Sequence, residues 1–135
     1  MAFDGAALMR EVIATSPYAV LLGISVAELA DGRAVLAMPF REELVTIGRT
    51  VHGGALASLL DTAAMAAAWC GAPEPERLQG STISLAVSYR APAEAADVEA
   101  EARVTRRGRS VVHVDVEARA AGVAVARALV AYKLG

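Results

Sequence analysis

The stretch GGALASLLDTAAMAAAWC fills residues 53–70 of this 135-residue chain. It is built mainly of Ala, Leu and Met, the strongest helix formers, and predicts one long helix. Apolar residues run nearly all round it, as in a helix enclosed by a core. Gly71-Ala72-Pro73-Glu74-Pro75 stops it.

Strand patterns follow the helix. Thr82, Ser84, Ala86 and Ser88 alternate with Ile83, Leu85, Val87 and Tyr89. Residues 98–104 alternate apolar with Glu and Arg. In residues 112–119, His113, Asp115, Glu117 and Arg119 face away from Val112, Val114, Val116 and Ala118. Residues 123–134 form the last strand, with turns at Arg107-Gly108 and Ala121-Gly122. Period-two patterning with Gly turns predicts an antiparallel sheet. Ahead of the helix, residues 4–14 suit a short amphipathic helix with Asp4 as N-cap, ended by Ser16-Pro17. Residues 20–30 and 33–40 read as a hairpin about Asp31-Gly32. A loop of mixed polarity containing Gly48 spans residues 41–51. One-sided strands and an enclosed helix combine as an α+β layer fold, an antiparallel sheet wrapped around a long central helix. This is the hotdog pattern, expected as a single domain over residues 1–135.

Composition narrows the function classes. Apolar residues reach 56%, above the usual roughly 45–50%. The excess is mostly Ala and aromatics are 4%, so the surplus is assigned to helix–sheet packing and a subunit interface. Thirteen basic and 15 acidic residues give a net charge of −2, and Lys133 is the only Lys. No basic field exists to draw nucleic acid. The apolar run at residues 63–72 is too short to span a membrane, and Met1-Ala2-Phe3-Asp4 lacks the basic start of a signal peptide. The single Cys70 provides neither an internal disulfide nor a zinc cluster. A cytoplasmic protein is expected.

The residues that could carry chemistry begin at His52-Gly53-Gly54. Glycines there let a ligand approach the backbone, and the unpaired N–H groups of a first helical turn stabilise a developing oxyanion. The competing reading is a glycine-rich helix start with His52 as a cap. Asp61 weighs against it, being the only acidic or basic residue between Arg49 and Glu74 apart from His52. Its neighbours are Leu59, Leu60, Ala63, Ala64 and Met65. An unpaired carboxylate in an apolar helix is a candidate base or nucleophile; the alternative is a polar stripe with Ser58 and Thr62 facing a cleft or a partner. Eight residues separate Gly53 from Asp61, roughly 12 Å along a helix. Reacting groups must approach to about 3–3.5 Å. If both act, Asp61 comes from a second, two-fold-related subunit.

These residues resemble the hotdog-fold acyl-CoA thioesterases, closest to the phenylacetate-pathway (PaaI-like) branch. The resemblance rests on His52-Gly53-Gly54 with the acid nine positions after His52, on Gly80-Ser81-Thr82, on Val87-Ser88-Tyr89-Arg90-Ala91-Pro92 and on the hairpin at Gly108. It covers about residues 22–134. It implies that the Gly53 N–H polarises a thioester carbonyl, with Gly54 beside it, and that His52 shapes the loop. It implies further that Asp61 of the neighbouring subunit activates water or attacks, and that Thr82 positions water or Asp61. The family usually has Asn or Gln six residues before the His; here Thr46 stands there, able to donate one hydrogen bond. Arg106, Arg107 and Arg109 are candidates for coenzyme A phosphates, as is Arg90; the competing reading is a charged hairpin tip. No cofactor is implied, coenzyme A being part of the substrate, and metal-ligand spacing is absent. A homodimer is the implied minimum, with a homotetramer as a dimer of dimers. His113 reads as a solvated surface residue and Cys70 as a buried spectator. The functional alternatives are a non-catalytic acyl-CoA binding or sensing module and a hotdog dehydratase or hydratase. Retention of Asp61 argues against the first, and the absence of the second's His and acid motifs argues against it.

Overall fold

In the computed structural model, which describes residues 2–135, two short helices precede the first hairpin. Helix α1 runs Gly5–Thr15 and starts at Asp4, whose carboxylate accepts from the Ala7 N–H at 3.0 Å. Pro17 does end that helix, but it also opens a second one, α2, Pro17–Leu22. Proline's fixed φ suits a first helical position, where its missing N–H goes unused. Gly23, at φ +74°, terminates α2, so the first strand begins later than the apolar run suggests. Strand β1 spans Ser25–Ala30 and β2 spans Arg33–Met38, joined at Asp31-Gly32 with Gly32 at φ +65°. Pro39 cannot donate to a ladder, which stops β2 short of Phe40.

Helix α3, Gly53–Trp69, is capped by His52 and Cys70. Four strands follow: β3 Gly80–Tyr89, β4 Val98–Arg107, β5 Val111–Ala120 and β6 Val123–Leu134. All six strands form one antiparallel sheet in the order β1-β2-β4-β5-β6-β3. Helix α3 packs across β2, β4, β5 and β6. Ala63, Ala64, Ala66, Ala67 and Ala68 of the helix are fully buried, as are Ala34, Ala100, Ala102, Ala118 and Ala126 of the sheet. Small side chains on both sides let the two layers approach closely, which accounts for an alanine-rich rather than aromatic core.

The helix is not enclosed all round. Gly53, Ala57, Ser58, Asp61, Thr62 and Met65 form a half-buried stripe along its outer side. The Ser58 and Thr62 hydroxyls turn back to the Gly54 and Ser58 carbonyls, so the carboxylate of Asp61 is the polar group that this stripe projects. Strand β3 lies at the sheet edge, pairs only with β6 within the chain and leaves Ile83, Leu85 and Tyr89 exposed. Among the described residues, no helix is long and apolar enough to cross a membrane.

Candidate active site

Each glycine of His52-Gly53-Gly54 has its own steric reason. The His52 Nδ1 accepts from the Gly54 N–H at 2.7 Å, so the proton of the neutral ring sits on Nε2. A Cβ on Gly54 would stand 2.9 Å from that imidazole; glycine is what lets the ring fold over. A Cβ on Gly53 would press on the Tyr89 ring at 3.3 Å. The Tyr89 hydroxyl donates to the Gly53 carbonyl at 2.7 Å, fixing the orientation of that peptide. The His52 carbonyl accepts from the Ala55 and Leu56 N–H groups. Among the described residues, the Gly53 N–H alone of the first turn's four has no acceptor. Unpaired, at the positive end of a 17-residue helix, it is available to a carbonyl oxygen.

Asp61 lies two turns along α3 and is not unpaired. Its Oδ1 accepts from the Thr82 hydroxyl at 2.6 Å, which leaves Oδ2 free for a second partner. Thr82 reaches the helix because β3 carries a bulge. Leu85, Val87 and Tyr89 pair with Val130, Ala128 and Ala126 on the helix-facing side of the sheet, while Ser84, Ala86 and Ser88 pair with Ala131, Leu129 and Arg127. Plain alternation would put Thr82 with Ser84, facing away. The register shift between Thr82 and Ser84 inserts one residue and turns Thr82 inward, opposite the buried Tyr132. Beside the pair lies a cavity of about 220 Å³, lined by Asp61, Thr82, Tyr132, Tyr18 and Met65 among others.

Within one chain the candidate residues fall into separate places. Thr46, Gly53 and Arg90 share an open cleft of about 390 Å³ with Tyr89. His52 and Gly54 line a neighbouring one with Tyr18 and Glu43, and Asp61 and Thr82 line the third. The hairpin arginines differ from one another. Arg107 donates to the Ala68 carbonyl at 2.8 Å and to the Cys70 carbonyl at 3.3 Å, holding the C-terminus of α3; burial lowers the pKa of its guanidinium. Arg106 and Arg109 are exposed, and Arg109 lines a cleft of about 800 Å³ at the hairpin end of the sheet. His113 stands exposed on β5.

Two contacts of this neighbourhood have no sequence signal, although Tyr89 lies in a stretch that carries the family resemblance. Tyr89 is 36 positions from Gly53, and Tyr132 is 63 from the Trp69 indole that donates to its hydroxyl at 3.0 Å. Only the sheet brings them in.

The fold and this arrangement define an α+β protein of the hotdog class. Residues 48–126, more than half of the chain, match the family model for the thioesterase superfamily, and the chain belongs to that family. A curated relative from Halobacterium salinarum, named "Putative esterase", is 38% identical over 111 residues, covering 80% of this chain and 73% of its own length. A mutant of the phenylacetic acid degradation protein PaaI from Thermus thermophilus is similar at 30% identity and TM-score 0.77, over 89% of this chain and 100% of that one. A thioesterase family protein from Silicibacter pomeroyi is similar at 26% identity and TM-score 0.89, over 98% of this chain and 100% of that one. Hydrolysis of a thioester or ester is the activity these relationships support.

Proposed function

We propose that the protein hydrolyses an acyl-CoA thioester to the free acid and coenzyme A. The carrying observation is Asp61, the only charged residue of α3, held by Thr82 with one carboxylate oxygen left over beside an open cavity. In this reading the Gly53 N–H of one chain binds the thioester carbonyl. Asp61 of a second chain takes a proton from a water that attacks the carbonyl carbon. The tetrahedral intermediate then collapses, and the C–S electron pair leaves with coenzyme A as thiolate. Thr82 orients the base, and Arg106 and Arg109 meet the coenzyme A phosphates.

Edge strand β3 supports the two-chain geometry. It carries Thr82 near one end and Tyr89 at the other, each bonded to one of the candidate groups. Pairing β3 with itself about a two-fold axis at Ala86, with the bulged residue Ile83 passed over, sets Thr82 of one chain opposite Tyr89 of the next. Asp61 is thereby brought toward the other chain's Gly53. An unpaired ten-residue edge with exposed apolar side chains is the kind of surface that second copies cover.

Asp61→Asn keeps the shape and removes the base. It should lower kcat with a panel of acyl-CoA substrates by about 10²–10⁴-fold while leaving their affinity, measured calorimetrically, unchanged. Full activity in the Asn variant removes the proposed chemistry from this carboxylate. Tight binding with no turnover by the parent protein assigns the chain to the binding modules instead.

A further inference from the structure

The Tyr132 side chain is 4% exposed, and its hydroxyl accepts from the Trp69 indole at 3.0 Å. Indole can only donate, so the phenol keeps its own proton. Among the described residues that hydroxyl makes no other hydrogen bond, although buried hydroxyls ordinarily use their donors. Tyr132 lines the Asp61 cavity and sits directly across the ladder from Thr82, the residue that grips Asp61. Gly80, the first residue of β3, makes room for it: a Cβ there would collide with the hydroxyl oxygen.

We propose that Tyr132 is a positioning residue, its hydroxyl aimed by Trp69 into the Asp61 cavity to hold the water that Asp61 activates. This rests on the hydrolytic reading above. The water would then accept from Tyr132 and donate to the free Asp61 oxygen, leaving a lone pair for the carbonyl carbon. A cavity of about 220 Å³ admits several waters, each needing about 30 Å³. The phenol stays protonated throughout the working range. Burial, the largest influence, raises its pKa; the Trp69 bond opposes this and the charge of Asp61 adds to it. The titratable groups facing the cavity are Asp61, Tyr18 and Tyr132, and Tyr18 is turned to Ser58 at 3.2 Å.

The test is steady-state kinetics of Tyr132→Phe. Losing a fixed water should lower kcat about ten-fold or more with KM within two-fold, a split that loss of packing alone would not produce. Gly80→Ala, which displaces the hydroxyl without removing it, should lower kcat in the same sense. Should Tyr132→Phe fail to fold, 3-fluorotyrosine at position 132 keeps the hydroxyl, and its fluorine resonance should move when Asp61→Asn is introduced. A folded Tyr132→Phe variant with the parent kcat overturns the proposal, as does a fluorine resonance indifferent to Asp61→Asn. An inactive Asp61→Asn beside a fully active Tyr132→Phe overturns this inference alone. A fully active Asp61→Asn overturns the hydrolytic reading beneath it.

Discussion

Cys70 caps α3 with no exposed surface, and burial pushes its thiol from the ordinary 9.0 up to about 11. The folded chain therefore holds this proton at a pH where the unfolded chain releases it. Stability from this source is fully present below pH 9.0 and is lost as the pH climbs through about 11. The shift amounts to about 2–3 kcal/mol. Tyr132, also raised, adds loss of the same sign in the alkaline range. Urea unfolding of the parent and Cys70→Ala between pH 8 and 11 isolates the thiol: the parent should lose more stability than the variant, and equal slopes would locate the loss elsewhere. Asp61 and Cys70 were legible for opposite reasons. An acid in an apolar helix stands out by cost, and a lone Cys among alanines reads as core. The contacts of Tyr89 and Tyr132 are not legible, because only strand register supplies their partners.

At the scale of elements, the hairpin between β4 and β5 separates a structural arginine, Arg107, from the two proposed to meet coenzyme A. Arg107 closes the last carbonyls of α3, while the Gly32 N–H of the β1–β2 turn also reaches the Cys70 carbonyl at 2.8 Å. The helix end, one turn and one hairpin are thus tied at a single point. Arg107→Ala should cost about 1–3 kcal/mol and lower the Tm by several degrees. Replacing Arg106 and Arg109 together should leave the Tm unchanged and raise KM for acyl-CoA, most clearly at low salt, where exposed charge contacts are least screened. A KM unaffected by the pair would return them to a solvated hairpin tip. Strand positions are readable because period two runs through β5 and through most of β4 and β6, each interrupted by a single bulge near Thr105 and Val125. The β3 bulge is not, since one inserted residue leaves the local alternation looking intact while it reverses the face of Thr82. Helix α2 has no separate sequence signal, because Pro17 marks both the end of one helix and the start of the next.

For the whole molecule, the decisive fact is that one chain keeps Gly53 and Asp61 in different clefts. The site proposed above then needs two chains, and this can be tested by complementation. Take Asp61→Ala and Gly53→Pro, each expected to be inactive alone. Gly53 is the first residue of α3, where proline is tolerated. His52 already has the extended backbone, φ −59° and ψ 134°, that a residue before proline prefers. Circular dichroism should report both variants folded, with Tyr89 giving slightly under the new Cβ. Mixed in equal amounts and allowed to exchange, half the dimers are mixed by chance, and each mixed dimer has one site with both defects and one with neither. Activity should return to about a quarter of the parent's per subunit, from random two-fold pairing. A mixture that demonstrably exchanges subunits, seen by mass spectrometry of differently labelled chains, yet stays inactive would place both groups in the same chain's site. The ~12 Å between them along the helix would then have to be spanned by something other than one thioester carbonyl, and the β3-to-β3 pairing would lose its catalytic reason.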